Sequence, residues 1–371
     1  MAGGFGCLYF YDKGSNALKD WTQEEKSLLW LDSFLLEPKL KRSLLQSAGS
    51  AVALVKGFSK YKSLFPDEKL FRCIQETLAN GEYFQWVKNR LEAESITPIF
   101  WGGEGYPKEW MSISDAPLCL YLKGRAELLA ARKLAIVGSR RTTESAKQLG
   151  TIIAKDVSAS FVVVTGAADG GDEAALKGGL ATGNVICFSA GGFGALPKEN
   201  LLLREVEKKG LLITACPYDT PIRVYSYEYR NKLLAAMSEG TLVLGAAKKS
   251  GSLVTAKYAQ EFGKKLFAIP YAPSVVAGEG CNALIKQGAY LTENASDILM
   301  QYGFTAMAKP KVLLTDAEQK IVDVLTECGE MHVTDLSKSV GLPVFKLATL
   351  LALLEVKGLA VKLGGNRYSV V

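Results

Sequence analysis

Seven cations of this 371-residue chain stand in the same kind of place. Arg140 and Arg141 follow the apolar run LAIV (134–137), and Lys198 closes the loop GGFGALPKEN (191–200) beyond VICFS (185–189). Arg230 and Lys232 lie in YSYEYRNK (225–232), after LLITA (211–215), while Lys248 and Lys249 follow TLVLG (241–245). Glycines that allow close backbone approach or positive φ accompany them, at Gly138, Gly166, Gly170, Gly251 and Gly280. Small hydroxyl side chains suited to capping helices or bonding phosphate oxygens are there too: Ser139, Ser250, Ser252 and Thr255. Glycine, hydroxyl and cation after an apolar run are the parts of an anion site, with phosphate the expected anion. Tyr225, Tyr227 and Tyr229 alternate with polar residues, a spacing that suits base stacking as well as core packing.

Other chemistries lack their residues. The single histidine, His332, would have to serve every His-dependent triad or metal centre, and it lies in EMHVTDL between two helical patterns, where packing is the expected role. Seven scattered cysteines without a CxxC pair argue for reduced thiols and a cytosolic protein rather than a disulfide frame or zinc site. No GxGxxG follows the first long strand and no GxxxxGK[ST] occurs, which disfavours dinucleotide and P-loop chemistry; no cofactor or metal is expected. The start, MAGGFGCLYFYDKGS, lacks the pattern of a signal peptide, and no run approaches the ~18 apolar residues of a membrane span. A net charge of +6 is compatible with a polyanion partner.

The anion site needs elements to hold it. LAIV, FVVVT (161–165), VICFS, LLITA, TLVLG and KLFAIP (265–270) are apolar runs separated by helix-length amphipathic segments. That alternation predicts βαβ units, hence a parallel sheet with helices on both faces and its ligands outside the carboxyl ends of the strands. The expected fold class is α/β, with an extended Rossmann-like parallel sheet over 96–303. It is flanked by an N-terminal helical domain (1–95) and a C-terminal winged-helix-like domain (311–371). SDAPLCLYLKG reads as an edge-like strand leading into a short helix. Within the helical domain, SAGSAVAL reads either as a plain helix connection or as a helix-hairpin-helix-like turn with amides free for phosphate. After the linker AMAKPK, a TDAE capping box, two further helices and a hairpin turning at Gly364 and Gly365 make the winged-helix pattern, suited to DNA or to protein docking.

The stretches IVGSRRTT, TGAADGGDEAAL, LPKEN, YEYRNKLLAAMS, KSGSLVTAKYAQEFGKKLFAIP and GCNALIKQGA, in this order, resemble the DNA processing protein A (DprA/Smf) family over roughly residues 97 to 298. The resemblance implies a single-stranded DNA-binding recombination mediator without turnover. It would dimerise through the Rossmann-like domain and help load a RecA-type recombinase during DNA uptake or recombination. Carried over, Gly138, Ser139 and Arg140 match the family's first-strand turn, Lys198 its Pro-Lys/Pro-Glu-Asn loop, and Arg230, Asn231 and Lys232 its Arg-Asn-Arg run. Ser250, Gly251, Ser252 and Thr255 match its SGS-x-x-T turn; Arg141, Gly166, Lys248, Lys249 and Asn282 complete the expected phosphate-binding set. Asp169 replaces a usual cation in TGAADGGD, and Glu228 and Tyr229 stand where a base is common, both of which lower positive potential. Asp172 and Asn231 also suit helix caps, and Asn282 also suits a loop-fixing role.

Two other functions compete. An enzyme of the related lysine-decarboxylase-like superfamily would cleave nucleotide N-glycosidic bonds with a Gly-Gly-x-Gly-Thr-x-x-Glu loop; the corresponding turn here, SGSLVTAKYAQE, has Thr255 but no PGGxGT. A DNA-binding regulator would read bases with the tail, whose third helix, LPVFKLATLLALLEVKG, offers few side chains for base edges.

Overall fold

The computed structural model describes residues 21–65, 67–79, 81–304 and 314–370. The first residues, MAGGFGCLYFYDKGS, and the linker AMAKPK lie outside the described residues. The chain divides into two compact units, Met1–Thr305 and Ala306–Val371. Among the described residues no single helix is long and apolar enough to cross a membrane, and six cysteines are free thiols.

The first unit begins with helices α1 (Gln23–Asp32), α2 (Pro38–Ala48), α3 (Ala51–Lys56), α4 (Glu68–Ala79) and α5 (Gly81–Ala93). The SAGSAVAL connection joins α2 to α3 through Gly49, at φ 80°, and Ser50. The amides of Ala51 and Val52 donate to the Glu24 carboxylate at 2.6 and 3.0 Å, and that of Ala53 to Ser50 Oγ at 3.1 Å. These are the donors that a phosphate would need, and here they are spent inside the protein.

A nine-stranded sheet follows. Its strands are β1 (Thr97–Phe100), β2 (Cys119–Gly124), β3 (Lys133–Gly138), β4 (Val162–Thr165), β5 (Val185–Ser189), β6 (Leu211–Thr214), β7 (Gly240–Gly245), β8 (Lys265–Ala268) and β9 (Tyr290–Leu291), in the spatial order β1-β2-β6-β5-β4-β3-β7-β8-β9. From β6 to β9 the neighbours are parallel, but β2 runs antiparallel to β6 and to β1. The sheet is therefore mixed, and SDAPLCLYLKG supplies an inner strand rather than an edge, with β1 outside it. Antiparallel pairing lets the chain enter the sheet through a loop between adjacent strands, without the crossover helix that parallel neighbours require.

Strand residues alternate between two cores. Leu134, Ile136, Val163, Val185 and Leu242 face one, and Ala135, Val137, Val164, Ile186 and Val243 the other. Both faces are buried, which is why the strands read as unbroken apolar runs. Helices α6 (Glu144–Val157), α7 (Gly171–Leu180), α8 (Leu201–Lys209) and α12 (Ala295–Met300) fill the first core, which Leu29, Leu44 and Phe58 of the N-terminal helical region also enter. Helices α9 (Val224–Met237), α10 (Gly251–Glu261) and α11 (Glu279–Lys286) cover the second.

A buried ion pair fastens the N-terminal helices to the sheet. Lys41 Nζ donates to Asp32 Oδ1 at 3.1 Å and to the Asp32 carbonyl at 2.7 Å, and the Tyr121 hydroxyl of β2 donates to Asp32 Oδ2 at 2.8 Å. Burial pushes the Tyr121 hydroxyl well above its ordinary pKa, with the Asp32 charge adding to the rise, so Tyr121 remains a donor at any pH the protein meets.

The second unit runs α13 (Asp316–Cys328), β10 (Met331–His332), α14 (Val333–Val340), α15 (Val344–Val356), β11 (Ala360–Leu363) and β12 (Arg367–Val370). The β11–β12 hairpin turns at 364–366, and β10 pairs with β12 on its other side. Thr315 and Glu318 form the expected capping box. His332 caps α14, its ring accepting from the Thr334 amide at 3.3 Å.

Lys41→Met leaves the Asp32 carboxylate buried without its cation and is expected to cost about 3–5 kcal/mol. All five tryptophans lie between Trp21 and Trp110, within the first unit, so urea denaturation followed by tryptophan fluorescence reads this loss without interference from the second unit. A change below about 1 kcal/mol, the scale of an exposed pair, would show that the pair is not what fastens the helices.

Candidate nucleic-acid interface

The strand order reverses at β3. From it the chain steps outward through β4, β5 and β6, then returns to lay β7 on β3's other side and continues to β8 and β9. The turns leaving β3 and β7 therefore diverge to opposite faces and open a crevice at their carboxyl ends, the usual ligand position in an open α/β sheet. GSRRTT and AAKKSGS are those two turns. They are tied at their base by a hydrogen bond from the Ser139 amide to the Gly245 carbonyl at 2.8 Å.

Backbone packing sets the crevice floor. A Cβ on Gly138 would stand 2.7 Å from the Cα of Gly171, so neither the strand end nor the start of α7 tolerates a side chain at their crossing. Gly170 has φ +89°, a conformation that L side chains rarely adopt, and turns the chain directly over the Ser139 carbonyl. That carbonyl accepts from the Gly171 amide at 3.2 Å and from the Thr142 amide and hydroxyl at 3.1 and 2.8 Å.

Asp172 and Arg230 brace this floor from below. Asp172 Oδ1 accepts from the Gly138 amide at 3.1 Å, and its other oxygen lies 4.0 Å from Arg230 Nη1. The carboxylate thus braces the end of β3 rather than capping α7. Burial pushes the Asp172 carboxyl above its ordinary pKa, opposed by the Arg230 charge and by the amides of Gly138 and Ala168. Arg230 is 5% exposed; its Nη1 donates to the Phe188 carbonyl at 3.0 Å. A Cβ on Gly166 would collide with this guanidinium and with Asp172, so Gly166 serves by leaving room for the arginine.

Helical spacing sorts the remaining residues. On α9, Tyr227, Arg230 and Asn231 share one face and line the cleft, and Asn231 Nδ2 donates to the Gly251 carbonyl at 3.3 Å. Tyr229 and Lys232 share another face and meet Asp115: the Tyr229 hydroxyl donates to its carbonyl at 2.7 Å, and Lys232 Nζ lies 2.6 Å from its carboxylate. On α10, Gly251, Ser252 and Thr255 turn the same way toward the cleft, and Ser250 caps the helix by accepting from the Ser252 amide at 3.3 Å.

The result is a cleft of about 350 Å³. Gly138, Ser139, Arg140, Arg230, Asn231, Ser250, Gly251, Ser252 and Thr255 of the sequence-derived set line it, with Val137, Ala168, Asp172 and Tyr227. Arg141, Lys198, Lys248 and Lys249 are exposed and stand outside its walls; Lys248 lies 3.7 Å from Glu279. Among the described residues, Arg140, Arg141, Lys198 and Lys249 form no ion pair. Asn282 is also outside the walls, bonding the Tyr271 amide and carbonyl at 3.0 and 2.9 Å through both ends of its own amide. Asp169 is exposed, and Glu228 accepts from the Tyr258 hydroxyl at 3.1 Å. Of the wall residues absent from the sequence-derived set, Val137 and Ala168 carry no chemistry of their own, while Tyr227 has a signal in its alternation with polar neighbours and Asp172 one in its suitability as a helix cap.

Gly138→Ala forces the β3 end away from α7 and is expected to destabilise the first unit by about 1–3 kcal/mol, the scale of overpacking a close contact. Thermal unfolding followed by tryptophan fluorescence measures it, and an unchanged midpoint would show that the crossing has slack.

Comparison with known proteins places these features together. The model of the DNA recombination-mediator protein A family matches residues 97–303. Protein Smf of Escherichia coli (strain K12) is 31% identical over 270 residues, covering 69% of this chain and 72% of that protein. DNA processing protein DprA of Bacillus subtilis (strain 168) is 35% identical over 210 residues, 55% of this chain and 71% of that protein. Among solved structures, DprA from Streptococcus pneumoniae shares the fold with a TM-score of 0.65 at 24% identity, over 76% of this chain and 99% of that one. DNA processing protein A from Helicobacter pylori, described for its unique single-stranded DNA binding mode, matches with a TM-score of 0.51 at 28% identity, over 56% of this chain and 95% of that one. The family's span starts where β1 starts, closes just past α12 and takes in every wall of the cleft, and by that match and the identity to its relatives this chain belongs to the DNA recombination-mediator protein A family.

Proposed function

We propose that the chain binds single-stranded DNA across the carboxyl ends of β3 and β7 and acts as a recombination mediator, protecting the strand and helping to load a RecA-type recombinase without turnover of its own. The observation that carries this reading is the switch-point cleft, walled by Arg140 and Arg230, with the exposed cations Arg141 and Lys249 next in the chain to its wall residues Arg140 and Ser250. A strand offers this edge phosphates for the cations and unstacked bases for Tyr227. The likeness to the Helicobacter pylori protein described for single-stranded DNA binding supports the same reading. Against nucleotide cleavage, the wall carboxylate Asp172 is engaged by the Gly138 amide and faces the Arg230 cation. In this reading the protein works in the cytosol as a homodimer formed through the sheet domain, and the second unit is a winged helix that docks DNA or a protein.

Single strands are expected to bind in preference to duplex, with log affinity falling in log salt at about 0.7 per phosphate contacted. Arg140→Ala should weaken binding by about 1–3 kcal/mol, equally across base sequences, because a phosphate contact positions without reading bases. Lys232→Ala should cost less than Arg140→Ala, since its ammonium is held by Asp115 on another face of α9. Fluorescence anisotropy with labelled oligonucleotides tests all three. Duplex preference, salt-independent affinity, or an unweakened Arg140 variant would overturn the reading.

A further inference from the structure

Three donors in the cleft walls have no partner within the protein: Nε of Arg230 and the hydroxyls of Ser139 and Thr255. Arg230 is 5% exposed and Thr255 1%, so bulk water does not satisfy them. A buried donor left unpaired is costly, and native proteins keep few. Thr255 sits inside α10, where a threonine hydroxyl ordinarily turns to the carbonyl four residues back; here that bond is not made. The second turn of a helix is an easy place to satisfy a hydroxyl, so its orphaning reads as a partner that arrives with a ligand.

The donors define that ligand. A guanidinium, two hydroxyls and the start of α10 converge on one cleft, whose carboxylate, Asp172, is engaged by the Gly138 amide and faces Arg230; the donors call for an anion with several acceptor oxygens, a phosphate. The cleft's size sets how much comes with it. At about 350 Å³ it lies at the low end of the roughly 300–1,000 Å³ of small-molecule sites, room for one nucleotide and not for a run of them. Tyr227 in the wall offers a ring to the base.

We propose that the cleft is a mononucleotide receptor that takes a nucleoside 5′-monophosphate as a unit, either free or as the phosphorylated 5′ end of a strand. This rests on the cleft being the DNA site and goes beyond it: the ligand needs no strand, and free nucleotide competes with DNA.

The test uses the full chain and isothermal titration calorimetry with thymidine 5′-monophosphate, thymidine, and oligothymidylates ending in a 5′-phosphate or a 5′-hydroxyl. The monophosphate should bind saturably and displace a labelled oligonucleotide, while thymidine at the same concentration does neither. A 5′-phosphate that tightens oligonucleotide binding at least fivefold identifies strand ends as a source; equal affinity of the two oligonucleotides leaves the free nucleotide as the source. Thr255→Val removes the unpaired hydroxyl at constant shape, so it should melt no lower than the parent yet bind the monophosphate at least tenfold more weakly, with Thr255→Ser restoring affinity. No saturable monophosphate binding, thymidine binding as well as the monophosphate, or a folded Thr255→Val that binds like the parent overturns the proposal. If the oligonucleotide still binds in those cases, the strand-binding reading stands; if it does not, both fall.

Discussion

A guanidinium out of water is the constraint around which this sheet edge is arranged. Arg230 is buried at the carboxyl ends of the strands, and such a charge persists only where acceptors and a counter-charge meet it. The Phe188 carbonyl and the Asp172 carboxylate do so, Gly166 vacates the space it occupies, and Asp172 in turn holds the end of β3 through the Gly138 amide. The arginine's placement thus fixes a strand end, a helix start and a glycine at once. The same arrangement leaves its Nε unbonded, so the element that stabilises the edge is also the one prepared for an anion.

The sheet can hold such a group because its two faces are closed independently. Strand residues alternate between the two cores, and the helices of each face belong to separate crossovers, so the turns at the carboxyl ends part at the reversal between β3 and β7. The N-terminal helices thicken one of these cores, and the Asp32–Lys41 pair with Tyr121 carries a polar link through an otherwise apolar contact. Buried polar links of this kind specify one docking geometry where apolar packing alone would accept several.

The parallel strands were legible because burial on both faces makes them continuous apolar runs, and β3 to β8 fall where LAIV, FVVVT, VICFS, LLITA, TLVLG and KLFAIP stand. The strand order is not legible, since nothing in a run of valines says which neighbour it pairs with; SDAPLCLYLKG reads as an edge-like strand because its own sequence says nothing of β1 lying outside it. At the cleft, GSR and SGS-x-x-T signal their positions through residue type. Lys232 shows the limit of that signal: a cation two residues from Arg230 is carried by helical rotation to Asp115. Asp172 shows the converse, a residue whose type suggests a cap and whose partners are another strand and another helix.

The turn between α2 and α3 differs from an anion receptor by one side chain. Its three leading amides point to oxygen already, two of them to the Glu24 carboxylate and one to Ser50. A carboxylate supplied from within and a phosphate supplied from without are nearly the same partner to a backbone amide, so the internal acid works as a tethered mimic of a ligand. Structural connector and phosphate receptor are therefore adjacent states of one backbone, and drift at position 24 is a short evolutionary path between a helical region that only packs and one that binds nucleic acid.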